Sequence, residues 1–108
     1  MPELPEVETT RRGIEPHVVG HCIRALLVHE PRLRWRVAAD LPARVAGQKI
    51  RAAGRRAKFL LLELERGTLL LHLGMSGNLR VVPADAPRGK HDHIDLVLDS
   101  GELLRFND

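Results

Sequence analysis

The pattern of apolar and polar positions divides the chain into a helical start and a long β-rich remainder. Over residues 4–15, Leu4, Val7 and Ile14 fall near one helical face, with Val18 continuing it. Pro5 is tolerated in a first turn, where its missing N–H has no partner to lose. Glu3, Glu6 and Glu8 suit the positive N-terminal end of that helix, and Arg11 and Arg12 suit the other end. Gly13 weakens the element and Pro16 is expected to end it. Residues 21–29 then turn β-rich, with Ile23, Leu26, Leu27 and Val28, and residues 31–36 read as a cationic loop bearing Trp35. A short helix is expected over residues 40–47, capped by Asp40, with Pro42 in its first turn and Gly47 ending it.

Six strands follow in the pattern, at about 49–53, 58–64, 68–73, 78–82, 93–98 and 102–106. Glu65-Arg66-Gly67 and Asp99-Ser100-Gly101 read as hairpin turns. Ile94, Leu96 and Leu98 alternate with Asp95 and Asp99, the period of a strand with one apolar and one polar face. Residues 83–89 read as a mobile loop. Many short strands joined by tight turns predict an antiparallel sandwich or barrel, and 108 residues suffice for one domain with one core.

Composition narrows the function classes. Hydrophobic residues at 44% and charged residues at 29% are those of a soluble globular protein. No apolar run reaches transmembrane length and the acidic, proline-bearing start is unlike a signal peptide, so a cytoplasmic location is the default expectation. The lone Cys22 excludes an intrachain disulfide and a cysteine-rich zinc site within these residues. Two phenylalanines and one tryptophan argue against an aromatic platform for base stacking. The net charge of +3 is modest, but acids gather at the start and cations in the middle, as on a face that meets a polyanion.

Several stretches bear candidate chemistry. Removal of Met1 would leave Pro2 with a free secondary amine, whose pKa of roughly 7.7–8.0 leaves part of it unprotonated near neutrality. Such an amine can attack a sugar C1′ and give an iminium ion, with Glu3 beside it to move the proton. Glu6 lies three residues after Glu3, so both carboxylates can share one side of a helix near the amine. With Met1 retained, the Pro2 nitrogen is an amide and attacks nothing. Read plainly, Met-Pro-Glu is also an ordinary helix entry, and dipole complementarity is the preferred account of Glu8.

Between residues 49 and 58 stand five cations, Lys49, Arg51, Arg55, Arg56 and Lys58, and no acid. Residues 54–58 read as a turn presenting its cations to one side, fit to neutralise phosphates, or else as a solvated charged loop. Met75 sits between Gly74 and Gly77 in a turn, either exposed as a wedge for a base stack or folded onto the core. In Lys90-His91-Asp92-His93 the two imidazoles share a strand face, but two ligands make no zinc site, and Asp92 and His93 are read as ordering the strand start. His17, His21 and His29 match no functional pattern.

The run Pro2-Glu3-Leu4-Pro5-Glu6-Val7-Glu8-Thr9 resembles the start of the formamidopyrimidine-DNA glycosylase family. Its Pro-Glu opening is shared with the endonuclease VIII branch, whereas Leu4 and Val7-Glu8-Thr9 look like the formamidopyrimidine branch. Gly54 to Phe59, His72-Leu73-Gly74-Met75-Ser76-Gly77 and Lys90 to His93 are similar to three further elements of that family. Arg105 to Asp108 resembles the residues just before its Asp-Pro-Arg-Arg-Phe-Gly loop. The resemblance implies a mainly β fold, a two-sheet antiparallel β-sandwich with an N-terminal helix and one short additional helix. It implies that residues 1–108 are a single N-terminal domain of a longer enzyme, cut before the helix-two-turn-helix and zinc-finger domains. No cofactor is expected in this chain, zinc belonging to the absent finger.

The same resemblance implies a bifunctional DNA glycosylase and AP lyase of base-excision repair. Its substrates would be oxidised purines, formamidopyrimidines and 8-oxoguanine, in damaged double-stranded DNA. Pro2 would form the Schiff base, Glu3 with Glu6 nearby would serve proton transfer, and Lys58 would contact phosphate and assist β,δ-elimination. His72, His91, Arg55 and Arg56 would contact DNA, and Met75 would fill the gap left by a flipped nucleotide. The full enzyme would be a monomer in the bacterial cytoplasm, associated with the nucleoid and not with a membrane. The fragment would keep the nucleophile but bind and excise weakly, with self-association open to it. Two other readings are a noncatalytic DNA-binding module using the cations between residues 49 and 58, and a structural sandwich that dimerises.

Overall fold

A computed structural model describes residues 4–30, 37–74 and 77–108 of the chain. Pro2, Glu3, Trp35 with its cationic loop, and Met75 lie outside the described residues. The described order is α1 (Leu4–Val18), β1 (Ile23–Val28), α2 (Leu41–Val45), β2 (Ile50–Arg56), β3 (Phe59–Leu64), β4 (Thr68–His72), β5 (Asn78–Pro83), β6 (Asp92–Leu98) and β7 (Glu102–Asn107). The strands form two antiparallel sheets, a four-stranded one ordered β1-β6-β7-β5 and a three-stranded one ordered β2-β3-β4. This is the expected two-sheet sandwich with an N-terminal and one short additional helix.

Period-two burial sets the inner faces. Leu60, Leu62 and Leu64 of β3 are buried while Phe59 and Glu63 are exposed. They meet Ile23, Leu26, Leu96, Leu98 and Leu104 of the larger sheet in one core. The two hairpin turns form as expected, Leu64 N–H donating to the Gly67 carbonyl at 2.9 Å and Gly101 N–H to Leu98 at 3.1 Å. Both glycines take positive φ, +91° and +89°, which side-chain-bearing residues rarely adopt.

Helix α1 closes one side of the sandwich by packing on β2 and β5, an edge strand of each sheet. Val7, Ile14 and Val18 form its buried stripe. Pro16 does not end it: the helix runs on to Val18, and Val19 N–H still donates to the Glu15 carbonyl at 3.1 Å. Proline removes one hydrogen bond in the last turn, and complete burial of Val18 just beyond it favours continuation. Arg11 and Arg12 therefore lie mid-helix and not at its end, where His17 stands instead. In α2 Asp40 occupies the cap position but makes no side-chain cap hydrogen bond.

Two further expectations are corrected. The turn read over residues 54–58 is shorter, because β2 continues through Gly54, Arg55 and Arg56 and only Ala57-Lys58 turn. The polar face of β6 is not solvated: Asp95 is buried, as is its cross-strand neighbour Arg105. Residues 84–91 fold over that face and are pinned there, Arg105 Nη1 donating to the Pro87 carbonyl at 3.0 Å and to the Ala86 carbonyl at 3.4 Å. A loop read as mobile is thus tied to the sheet.

Candidate functional site

Register and hydrogen bonding bring the candidate stretches to one end of the sandwich. Helix α1 runs antiparallel to β2: Glu8 meets Arg55, Arg11 reaches the Ala53 carbonyl, and Gly20 beyond the helix donates to Ile50. Its N-terminal half therefore lies beside the β2–β3 turn. In the same sheet Phe59 pairs with His72, so β4 ends at that turn too. Gly77 N–H donates to the Leu73 carbonyl, which sets the end of β4 beside β5, whose first residue Asn78 pairs with Asn107, itself opposite Asp92. His91 precedes Asp92, and its carbonyl accepts from Asp108 N–H at 3.0 Å. The helix start with Glu6, the turn with Lys58, His72 and His91 thus share one end.

The cations between residues 49 and 58 do not act as one patch. The rise of about 3.3 Å per strand residue separates the two ends of β2 by roughly 20 Å. Lys49 lies at the far end, where its backbone N–H donates to Glu65 Oε1 at 2.9 Å. Arg55 and Arg56 are consecutive strand residues and point to opposite faces, Arg55 toward α1 and Arg56 to the exposed face it shares with Phe59. Lys58, in the turn, is half-buried and forms no ion pair with another described residue.

Glu8 is a hub that sequence reasoning missed. Its carboxylate accepts from Arg11 Nε at 2.9 Å and Nη2 at 2.8 Å, from Arg12 Nε at 2.9 Å and from Arg55 Nε at 3.4 Å. The Arg11 hydrogen bond holds the carboxyl well below its ordinary range, at about 2, against partial desolvation, with Arg12 and Arg55 adding to it. Arg11 is raised in return by Glu8. Glu8 stands a turn inside the helix and is occupied by side chains, so dipole complementarity is not its main role. The spacing of Glu8 with Arg11 and Arg12 was a legible helix pairing; its long-range partner Arg55 was not. Glu6, by contrast, is exposed in the first turn.

Ala57 has φ +52°, the one non-glycine residue with positive φ among the described residues. Its carbonyl accepts from Arg55 Nη1 at 2.9 Å. The turn that bears Lys58 is therefore held in a conformation side chains disfavour, by a guanidinium that also reaches α1.

Strand β4 ends on His72, whose ring packs against Phe59 with centroids 4.9 Å apart and whose Nδ1 accepts from Gly74 N–H at 3.3 Å. Gly74 has φ +70°, and Gly77 N–H meets the Leu73 carbonyl at 2.9 Å. A Cβ on Gly77 would collide with that carbonyl oxygen and lie 2.8 Å from Phe106 Cε1, so glycine is required there. His91 is exposed and stands edge-on to His93 at 6.2 Å. Asp92 behind it accepts from Gly89 N–H at 2.7 Å, Asn107 Nδ2 at 2.8 Å and Arg80 Nη2 at 3.3 Å. These bonds, those from Asn107 and Gly89 first, lower its pKa. Asp92 thus orders the strand start, and His93 joins it by bonding the Asp108 carbonyl at 2.8 Å.

The remaining histidines pair with acids elsewhere: His17 with Glu102, His21 with Asp99 and His29 with Asp95. Among the described residues no three His, Cys, Asp or Glu side chains gather so as to hold a metal ion. No helix among the described residues is long and apolar enough to cross a membrane.

Helix α1 thus seals a two-sheet sandwich, one end of which carries the Lys58 turn, His72 and His91. The sequence matches the profile described as the formamidopyrimidine-DNA glycosylase N-terminal domain over residues 1–108, and the chain belongs to that family. It is 63% identical over 108 residues to the formamidopyrimidine-DNA glycosylase of Thioalkalivibrio sulfidiphilus and 58% identical to that of Stutzerimonas stutzeri. Each match covers 100% of this chain and 40% of the relative, so the chain spans about two-fifths of their length. The fold is similar to that of the Lactococcus lactis enzyme in two crystal structures. One, bound non-covalently to DNA containing an AP site, has a TM-score of 0.90 at 36% identity and covers 99% of this chain and 41% of that one. The other, in complex with DNA containing FAPY-dG, has a TM-score of 0.89 at 36% identity and covers 98% and 40%.

Proposed function

We propose that residues 1–108 form a single domain that supplies the nucleophile of a bifunctional DNA glycosylase and AP lyase removing oxidised purines from double-stranded DNA. The observation that carries this reading is the convergence of the helix start, the Lys58 turn, His72 and His91 at one end of the sandwich. Family membership and the DNA bound by the similar Lactococcus lactis structures support it. In this reading zinc would belong to a C-terminal finger of the longer enzyme and not to these residues. The enzyme acts as a monomer in the cytoplasm, on the nucleoid.

In this reading the lesion nucleotide leaves the stack and enters the site, at a cost of a few kcal/mol offset by phosphate contacts and by Met75 in the gap. The unprotonated Pro2 amine attacks C1′; the N–C1′ bond forms, the bond from C1′ to the base breaks, and the base departs with a proton. A proton passed by Glu3, with Glu6 nearby, to the ring oxygen opens the sugar to an iminium ion. Loss of a C2′ proton then expels the 3′ phosphate, and loss of a C4′ proton expels the 5′ phosphate. Lys58 holds the lesion-side phosphate and protonates the departing oxygen, while His72, His91 and Arg56 fix the backbone.

The test is borohydride reduction of the full-length protein, lacking Met1, with a duplex containing an abasic site. A DNA-sized adduct mapped to residue 2 is the expected result. Absence of any adduct while salt-dependent DNA affinity persists would overturn the enzyme reading in favour of a noncatalytic binding module. A stable dimer without DNA affinity would overturn both in favour of a structural sandwich.

A further inference from the structure

Two facts meet at the β2–β3 turn. Ala57 holds a left-handed φ of +52° although it has a Cβ, and the residue after it is Lys58. The carbonyl of Ala57 is gripped at 2.9 Å by Arg55 Nη1, while Nε of the same guanidinium reaches Glu8 at 3.4 Å. Glu8 is held in turn by Arg11, which anchors α1 to β2 through the Ala53 carbonyl at 3.1 Å. The guanidinium therefore links helix α1 to the turn that presents Lys58.

We propose that Arg55 is a positioning residue for Lys58, fixing the strained Ala57-Lys58 turn against Glu8 so that the Lys58 amine is aimed at the lesion-side phosphate. The proposal rests on the enzyme reading above and adds a residue to it. Two alternatives make weaker use of the geometry. A phosphate contact would need a free guanidinium fork, whereas two of its nitrogens are already engaged. A purely structural helix anchor would not need the bond to Ala57, because Arg11 already ties α1 to the same strand.

Positioning separates the two chemical events. Attack by the Pro2 amine does not use Lys58, and elimination does. Misplacement of a catalytic group by about 1 Å can cost on the order of a hundredfold in rate. In Arg55→Met the left-handed carbonyl loses its clamp, and in Arg55→Met with Ala57→Gly the turn no longer needs one, since glycine takes positive φ without strain.

The experiment uses the full-length protein lacking Met1 and an abasic duplex at saturating concentration. It measures the yield of borohydride adduct, the single-turnover rate of strand cleavage and the salt dependence of affinity. Arg55→Met is expected to keep the adduct and the salt slope while strand cleavage slows about tenfold or more, and the added Ala57→Gly is expected to restore most of that rate. Cleavage at the wild-type rate in Arg55→Met, or a loss that Ala57→Gly does not repair, would overturn the proposal. A salt slope smaller by about 1 would reassign Arg55 to a phosphate contact. Failure of the wild-type protein itself to form an adduct would bring down the enzyme reading, and this proposal with it.

Discussion

Arg105 stands directly opposite Asp95 across the β6–β7 pair and grips it with two hydrogen bonds, Nε to Oδ1 at 2.8 Å and Nη2 to Oδ2 at 3.2 Å. Both side chains are only 3–4% exposed. Asp92 lies 3.8 Å from the same guanidinium, and Ala86 and Pro87 carbonyls take its remaining donors. One arginine therefore pairs with the buried Asp95, stands beside Asp92 and pins the loop that leads into His91.

Removing that arginine alone should be severe. Arg105→Leu leaves the buried Asp95 with only His29 beside it and is expected to cost about 3–5 kcal/mol in denaturant-induced unfolding. Arg105→Leu with Asp95→Leu should recover a large part of the loss, because the strand pair then buries matched apolar groups. A single-variant cost below about 1 kcal/mol would show that the network does not hold the fold.

Acid should unfold the protein through the same acids. Asn107 and the Gly89 N–H lower Asp92; burial alone would raise Asp95, but the Arg105 and His29 hydrogen bonds outweigh it. Folded values lie below unfolded ones, so the stabilisation is fully present above the unfolded carboxylate pKa of about 3.9 and is lost as pH falls through the folded values. Urea midpoints should be flat across neutral pH and fall steeply below about pH 4, and Asp92→Asn should flatten that fall. A slope unchanged by Asp92→Asn would exclude this acid as a cause.

Two glycines allow a matched comparison. At Gly77 a methyl group would collide with the Leu73 carbonyl and the Phe106 ring, whereas at Gly54 nothing lies within 4 Å. Gly77→Ala is expected to destabilise by about 1–3 kcal/mol. Gly54→Ala should be close to neutral in thermal unfolding. Equal melting temperatures for the two variants would contradict the close packing around Gly77.

The leucines of the smaller sheet should divide by face. Leu62 is completely enclosed and Leu70 is 61% exposed. Leu62→Ala is expected to cost about 2–5 kcal/mol by chemical denaturation, and Leu70→Ala no more than about 0.5 kcal/mol. A large effect at Leu70 would mean that this face is covered in solution.

Much of the architecture was legible because short-range chemistry sets it. The alternating leucines of β3 and the turns at Gly67 and Gly101 each follow from a few neighbouring residues, and all appear where the pattern places them. The candidate site was legible in a different way, through motif residues such as Lys58, His72 and His91, which the register then gathers at one end. Pro2, Glu3 and Met75 rest on the sequence reading alone.

What the sequence determined by itself was therefore the succession of elements, their inner faces and the residue types available for chemistry, since these depend on periodicity and local turn geometry. Only the tertiary structure decided which polar groups meet. It turned Arg55 toward Glu8 and away from Arg56, buried Asp95 beneath a loop, and carried α1 past Pro16 to seat Val18 in the core. The physical reason is common to all three. The direction and partners of a polar side chain, and the gain from burying an apolar one, depend on surfaces brought together from distant parts of the chain, and no window of neighbouring residues contains them.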